Sequence, residues 1–393
     1  MNILVIDDEW PALYSGKALR IIHIFKRMSN EHRFHFLYLG DRPQKGTELF
    51  GEIFSSVNIV HTFLAGGTLW GRVLNLLLLK PGDYVRWRHS KEYSLTKSGI
   101  KKIIKENSID LVHVFSNFTA QYVADIKGVK KMWDVGDSLY LYLSRKNKSG
   151  LSLSSLRARF YAHKIYRYEQ EMIQKFDRTV FVSRIDAQVH HNLREKILFS
   201  PNGVDLEYYK SDSFGSDYPS LIFTGHMKFS PNVDAVLFFA KEIYPLVRKG
   251  FPSIKFYIVG AEPVTSIAAL DGKNGIVVTG FVDDIRPYLG KATVFVSPMI
   301  SGSGIKNKLL QAMAMRKPIV STTLGAEAMS LTPGRDLILA DAPVQFADAL
   351  KQFLNNEEMR NKFAENGRRI VESTYSWETV AQQYDKWYRE LTK

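Results

Sequence analysis

The sequence predicts an α/β protein made of two doubly wound domains, and three observations carry that reading. Twelve short apolar runs punctuate the 393 residues, and most are continuous, as in parallel strands covered on both faces. Segments with helical spacing separate most of these runs. A turn signal near the middle, Pro201-Asn202-Gly203-Val204-Asp205, leaves six runs on either side of it. A chain of this length is too long for one typical domain and comfortable for two.

In chain order, the first six runs are Ile3–Ile6, Phe34–Leu39, Leu111–Phe115, Met132–Val135, Thr179–Val182 and Ile197–Phe199. The second six are Leu221–Thr224, Phe256–Val259, Ile276–Val278, Val294–Val296, Ile319–Val320 and Leu337–Leu339. Ala18, Leu19, Ile21, Ile22, Ile24, Phe25 and Met28 show the helical spacing expected between the first two runs. Near the end, Trp377, Val380, Tyr384, Trp387 and Leu391 mark an amphipathic helix. The expected division is a first domain over 1–204, a second over 205–372, and a closing helix over 373–393 that returns to the first. Val5-Ile6-Asp7-Asp8-Glu9 looks like the acidic pocket of a receiver domain. Gly51-Glu52-Ile53-Phe54-Ser55-Ser56-Val57-Asn58 lacks the phospho-accepting Asp such a domain needs, so a strand-end loop is the better account.

The chain has no cysteine, which excludes disulfides, thiolate metal sites and a cysteine nucleophile, and fits a reducing cytoplasm. Its first residues lack the basic start and long apolar run of a signal peptide. The apolar run Leu76–Leu79 is far too short to span a bilayer. The net charge of +13 is uneven: residues 1–200 carry +12 and residues 201–393 carry +1. The first half therefore expects a negatively charged partner. Nucleic acid is set aside, because no recognised binding module accompanies the charge.

The segment Ser297-Pro298-Met299-Ile300-Ser301-Gly302-Ser303-Gly304-Ile305-Lys306-Asn307-Lys308-Leu309-Leu310-Gln311-Ala312-Met313-Ala314 organises the second half. A strand, a small-residue loop and a helix point free N–H groups and the positive end of a helix dipole at one spot. Gly302 and Gly304 permit close backbone approach, and Lys306 and Lys308 add cations. A phosphate-bearing ligand suits that place.

Four stretches in register resemble bacterial glycosyltransferases of the GT-B fold, close to family four and to the sugar transferases of exopolysaccharide and capsule clusters. They are Pro201–Asp205; Phe223-Thr224-Gly225-His226-Met227 leading to Pro231-Asn232-Val233-Asp234-Ala235; Thr279–Tyr288; and Gly304–Ala314 with Lys317-Pro318-Ile319-Val320-Ser321-Thr322. The resemblance covers roughly residues 165–330 strongly and the first domain loosely. It implies two Rossmann-like domains facing across a cleft, and a retaining transfer of sugar from a nucleotide-sugar to an acceptor. It implies no cofactor and no metal: a UDP- or GDP-sugar is the substrate, and protein groups neutralise its phosphates. Its donor-site positions fall on Gly16, His226, Lys228, Ser303, Gly304, Ile305, Lys306, Asn307, Lys308 and Gln311. Asp134 and Asp137, in Trp133-Asp134-Val135-Gly136-Asp137-Ser138, match the acceptor-side loop and are the candidates for orienting the acceptor hydroxyl or acting as its base. Glu169 matches a family glutamate and reads as a structural ion pair.

Two departures stand out. The family has two glutamates seven residues apart; here the second position is Gln311, a weaker partner for a ribose hydroxyl than a carboxylate, and the first falls on Ser301 or Ser303. They keep open a catalytically silent scaffold, and the shared fold keeps open a nucleotide-sugar 2-epimerase. Leu69–Lys80, Arg86-Trp87-Arg88-His89, Arg145-Lys146-Asn147-Lys148, Arg157 and Arg159 mix cations with aromatic and leucine groups. That pattern suits peripheral contact with an anionic membrane at its cytoplasmic face, where a lipid-linked glycan acceptor resides.

Overall fold

The computed structural model describes residues 1–10, 16–40, 48–60, 86–87, 89–146, 153–210, 214–302 and 304–393. The chain divides into two compact units, one of residues 1–201 and 380–393 and the other of residues 202–379.

The first unit contains a seven-stranded sheet. Its strands are β1 (Asn2–Asp7), β2 (Arg33–Leu39), β3 (Ser56–Val60), β4 (Leu111–Phe115), β5 (Lys130–Gly136), β6 (Arg178–Phe181) and β7 (Ile197–Phe199). Every pairing is parallel, in the order β3-β2-β1-β4-β5-β6-β7. Six of these strands coincide with the apolar runs. β3 is the addition: it is an edge strand whose Val57 and Ile59 are 39% and 37% exposed, alternating with polar Ser56 and Asn58. A half-exposed edge strand needs no continuous apolar run, so that signal is missing there.

The second unit contains β8 (Ser220–Thr224), β9 (Lys255–Val259), β10 (Ile276–Gly280), β11 (Val294–Ser297), β12 (Ile319–Ser321) and β13 (Ile338–Leu339). All are parallel, in the order β10-β9-β8-β11-β12-β13. The continuous apolar runs arise because successive side chains enter different cores. Leu221, Phe223, Phe256, Ile258, Val294 and Val296 join one buried cluster, while Ile222, Tyr257, Val259 and Phe295 join another. Period-two alternation thus distributes hydrophobic residues to both faces.

In each sheet the strand order reverses beside the first strand. β1 lies between β2 and β4, and β8 lies between β9 and β11. At such a switch point the two flanking connections leave in opposite directions and open a crevice at the carboxyl ends of the strands. The helix Trp377–Thr392 ends the chain. Its Tyr384 and Tyr388 are buried in the first unit, where the Tyr388 hydroxyl is 2.6 Å from His113 Nδ1. Among the described residues no helix is long and apolar enough to cross a membrane.

Candidate functional site

In the second unit, the loops after β8 and β11 flank the switch point, and they are the loops the sequence singles out. The β11 loop carries Gly302 at φ +100° and Gly304 at φ +74°, a left-handed region that favours glycine. A Cβ on Gly302 would also lie 3.2 Å from the Pro231 side chain, so the two loops meet at a position glycine keeps open. The helix Asn307–Ala314 follows, with Lys306 at its N-cap and no side-chain cap on its first N–H groups. Ser301 Oγ donates to Asp234 Oδ2 at 2.7 Å, which tethers the loop to the helix Ser230–Phe238.

Lys306 and Lys308 divide the work. Lys306 Nζ donates to the Gly304 carbonyl at 3.0 Å and stays partly exposed. Lys308 Nζ donates to Asn232 Oδ1 at 2.6 Å and sits 3.9 Å from the centroid of the Phe223 ring. Asn232 Nδ2 in turn donates to the His226 carbonyl at 2.9 Å. Lys308 therefore braces the β8 loop from below, a different place from the simple phosphate clamp the sequence suggests. Burial pushes its ammonium well below the usual lysine range, and the neighbouring Lys306 charge adds to that. An anion arriving between the two loops would restore the charged form.

Gly225 makes this bracing possible. A Cβ there would lie 2.7 Å from Asn232 Nδ2 and 3.1 Å from Lys308 Nζ. At Gly260 a Cβ would come 1.8 Å from the Gly225 carbonyl oxygen. His226 and Lys228 project from the same loop, and both face Glu262, at 3.8 Å and 3.3 Å. All three are more than half exposed, so these contacts are weak and readily exchanged. Asn307 Oδ1 accepts from Asn202 Nδ2 at 3.0 Å, and Gln311 lies one turn further along the helix, half-buried. Ile305 is half-buried at the loop's end, and Ser303 lies outside the described residues. Asn202 and Asn232 fall within the sequence motifs, yet neither is assigned a role by pattern alone. Their neighbours in the chain, a turn glycine and a proline, masked what their amides do.

The first unit corrects one assignment and sharpens another. Asp134 was a candidate for acceptor chemistry, but it is 1% exposed and serves as a buried counter-ion. Its Oδ2 is 3.0 Å from Arg20 Nε and accepts from the Tyr384 hydroxyl at 2.5 Å. Arg20 also donates to the carbonyls of Ser200 and Pro201, at 3.0 and 2.8 Å. Position 134 falls within β5, whose side chains there point into the sheet's core, so an acceptor has no access. Asp137, three residues on, is exposed beyond the strand end. Its neighbour Ser138 is held firmly: its N–H donates to Asp186 Oδ1 at 2.9 Å and its Oγ to Glu169 Oε2 at 3.0 Å. Glu169 is fully buried, also accepts from Leu139 N at 2.9 Å, and faces His190 Nε2 at 2.9 Å. These contacts make Glu169 a buried structural acceptor, with His190 as the partner available for an ion pair.

Gly16 opens the helix Gly16–Met28. Beside it, Lys17 Nζ lies 2.8 Å from Asp7, 3.2 Å from Asp8 and 3.2 Å from Glu9. Burial pushes the Asp7 carboxyl up to about 7, against the opposing pull of Lys17. A phosphate approaching Gly16 would meet carboxylates, and Lys17 is already shared among them. Of the basic segments, Leu69–Lys80, Arg88, Asn147 and Lys148 lie outside the described residues, whereas Arg157 and Arg159 are exposed.

Residues 218–356 match the family described as Glycosyl transferases group 1. A protein of the cps region of Klebsiella pneumoniae is 24% identical over 231 residues, 56% of this chain and 58% of its own. A phosphatidyl-myo-inositol mannosyltransferase of Mycobacterium leprae is 29% identical over 201 residues, 49% of this chain and 53% of its own. The chain thus spans a little over half the length of these relatives. The crystal structure of Anabaena Alr3699/HepE in complex with UDP and glucose superposes with a TM-score of 0.65 at 14% identity, covering all of both chains. Two doubly wound units of parallel strands, matched from end to end, make this a chain of the GT-B fold, and residues 218–356 of its second unit match the Glycosyl transferases group 1 family.

Proposed function

We propose that the protein is a glycosyltransferase of surface-polysaccharide biosynthesis, moving a sugar from a nucleoside-diphosphate sugar to a glycan acceptor. One observation carries the reading. At the switch point of the second sheet, two glycines in left-handed conformations, uncapped N–H groups and Lys306 converge on one place, and Lys308 braces the neighbouring loop. Preorganised donors and cations of this kind stabilise the charge that develops on a departing diphosphate. Lys306 supplies positive charge there, and Lys308 joins it once an arriving anion restores its charged form, which supports a transfer that needs no metal. Lys306 and the N–H groups of the Asn307–Ala314 helix take the diphosphate, and the Gln311 amide takes a ribose hydroxyl. Asp137, rigidly backed by Ser138, orients the acceptor.

The finer features belong to the same reading: retention at the anomeric carbon, a UDP- or GDP-linked donor, and a lipid-linked acceptor at the cytoplasmic face of the membrane. The Anabaena protein binds UDP and glucose, which supports the donor class. The cps location of the Klebsiella relative supports the pathway class. Gln311 favours a second reading, a silent scaffold of the same fold.

A thermal-shift series with UDP, GDP, ADP, CMP and their sugars, with and without EDTA, decides between them. The expected result is stabilisation by one nucleotide, insensitive to EDTA and lost in Lys306→Ala and Gln311→Ala. No shift with any nucleotide in the folded protein would refute the transferase reading and leave the scaffold.

A further inference from the structure

Ser183 caps the short helix Arg184–Gln188, its hydroxyl accepting from Asp186 N at 3.0 Å. Asp186 is buried and holds Ser138, whereas Arg184 and Gln188 are exposed. The 3-10 helix His191–Lys196 then presents His191 and Arg194, also exposed, and leads into the edge strand β7. These pieces enclose a surface cavity of about 270 Å³. Its floor is half-buried and apolar, made of Ala187 and the β7 residues Ile197, Leu198 and Phe199. β4, β5 and β6 separate β7 from β1, so the cavity is no part of the switch-point crevice.

The charge around that floor is one-sided. Arg184, Arg194 and His191 line the cavity and no Asp or Glu does. Among the described residues none of these three side chains is paired with a carboxylate. The Arg184 guanidinium lies 4.8 Å from the centroid of the Phe199 ring. Stacking of this kind steadies a guanidinium and leaves its fork of N–H groups free for a carboxylate or phosphate. We propose that the cavity binds a sugar ring carrying one carboxylate or phosphate group. Arg184 and Arg194 grip the anionic group, Gln188 and His191 take ring hydroxyls, and the β7 floor receives the apolar face of the ring. The volume falls just under the span of about 300–1,000 Å³ usual for drug-sized ligands, so it suits one ring. An acidic peptide adding a strand to β7 fits less well. That strand is three residues long, and Gln383 Nε2 already donates to the Phe199 carbonyl at 3.3 Å.

The sugar rests on the glycosyltransferase reading, and the anion rests on the cavity alone. Ligand-observed NMR titration of the full chain tests both, with glucuronate, glucose 6-phosphate, glucose and inorganic phosphate as probes. Saturable binding is expected for the two sugar acids, none for glucose, and weaker binding for inorganic phosphate. Arg184→Gln or Arg194→Gln should weaken sugar-acid binding about tenfold or more, each losing a charge-assisted contact. Both variants should keep the wild-type melting temperature and any nucleotide-induced shift, while Lys306→Ala should keep sugar-acid binding. Failure here and failure of the transferase reading therefore give different patterns. A glucuronate-bearing disaccharide reads the source. Tighter binding than glucuronate identifies the acceptor glycan, whose site at Asp137 lies beside the Ser138 that Asp186 holds; equal binding identifies a free sugar acid. No binding of either sugar acid, equal binding of glucose, or inorganic phosphate as tight as glucose 6-phosphate would overturn the proposal. So would arginine variants that bind like wild type, or loss of binding in Lys306→Ala, which would put the ligand in the donor site. Saturation by a Glu-rich peptide instead of the sugars would replace it with strand addition.

Discussion

Replacing Asp134 by Asn separates a structural counter-ion from a catalytic base. Arg20 and Asp134 are 2% and 1% exposed, and their Nε–Oδ2 distance is 3.0 Å. Without the carboxylate, Arg20 still meets the carbonyls of Ser200 and Pro201 and the Tyr384 hydroxyl, all neutral acceptors. Removing one partner of a buried pair costs about 3–5 kcal/mol, because the remaining charge is left uncompensated. For a unit of about 200 residues each kcal/mol moves the midpoint by about 2–4 °C, so the first unit should melt at least about 6 °C lower. Adding Arg20→Met removes the stranded charge and should recover part of that loss. Tyr384→Phe removes two hydrogen bonds to charged groups, one with Arg20 and one with Asp134, and should cost about 3–6 kcal/mol while leaving the ion pair in place. Differential scanning calorimetry of the full chain reads all three. If Asp134→Asn melts with the wild type but loses turnover, Asp134 acts on the acceptor and the counter-ion argument fails.

Three more outcomes follow from particular contacts. The Asp7 carboxyl, raised by burial from 3.8 to about 7, keeps its proton in the folded state where the unfolded chain has lost it. Its contribution to stability is complete below pH 3.8 and is lost as pH rises through 7. Across that window wild type should lose about 1.4 kcal/mol per pH unit relative to Asp7→Asn, and parallel urea-derived stabilities would contradict this. Gly225→Ala forces a Cβ to 2.7 Å from Asn232 Nδ2 and should weaken nucleotide binding about tenfold or more by disturbing Lys308, measured by calorimetric titration. Gly260→Ala, with its Cβ 1.8 Å from a backbone oxygen and φ at +147°, should instead fail to give folded protein, checked by circular dichroism. Asp137→Asn should leave the melting temperature unchanged and lower transfer about 100-fold or more, and unaltered transfer would remove Asp137 from the acceptor site.

Much of this molecule is legible from local pattern. All twelve apolar runs lie on strands, because a strand covered on both faces must be hydrophobic at successive positions. The Ser297–Ala314 stretch declares a strand, a glycine turn and a helix through residues adjacent in sequence. β3 escaped because an edge strand with one wet face lacks that signature. Local pattern thus carries the α/β class, the two units and the strand–turn–helix conformation of the β11 loop. The assembled sheet alone sets β8 beside β11, so that Asn232 meets Lys308 across 76 positions and Gly225 lies against both. Only tertiary structure turned Asp134 inward to Arg20, 114 positions away, while leaving Asp137 at the surface. Periodicity records which side of a strand or helix is apolar. Which distant charge a buried carboxylate meets depends on strand order and register, and these emerge only when the whole sheet is assembled.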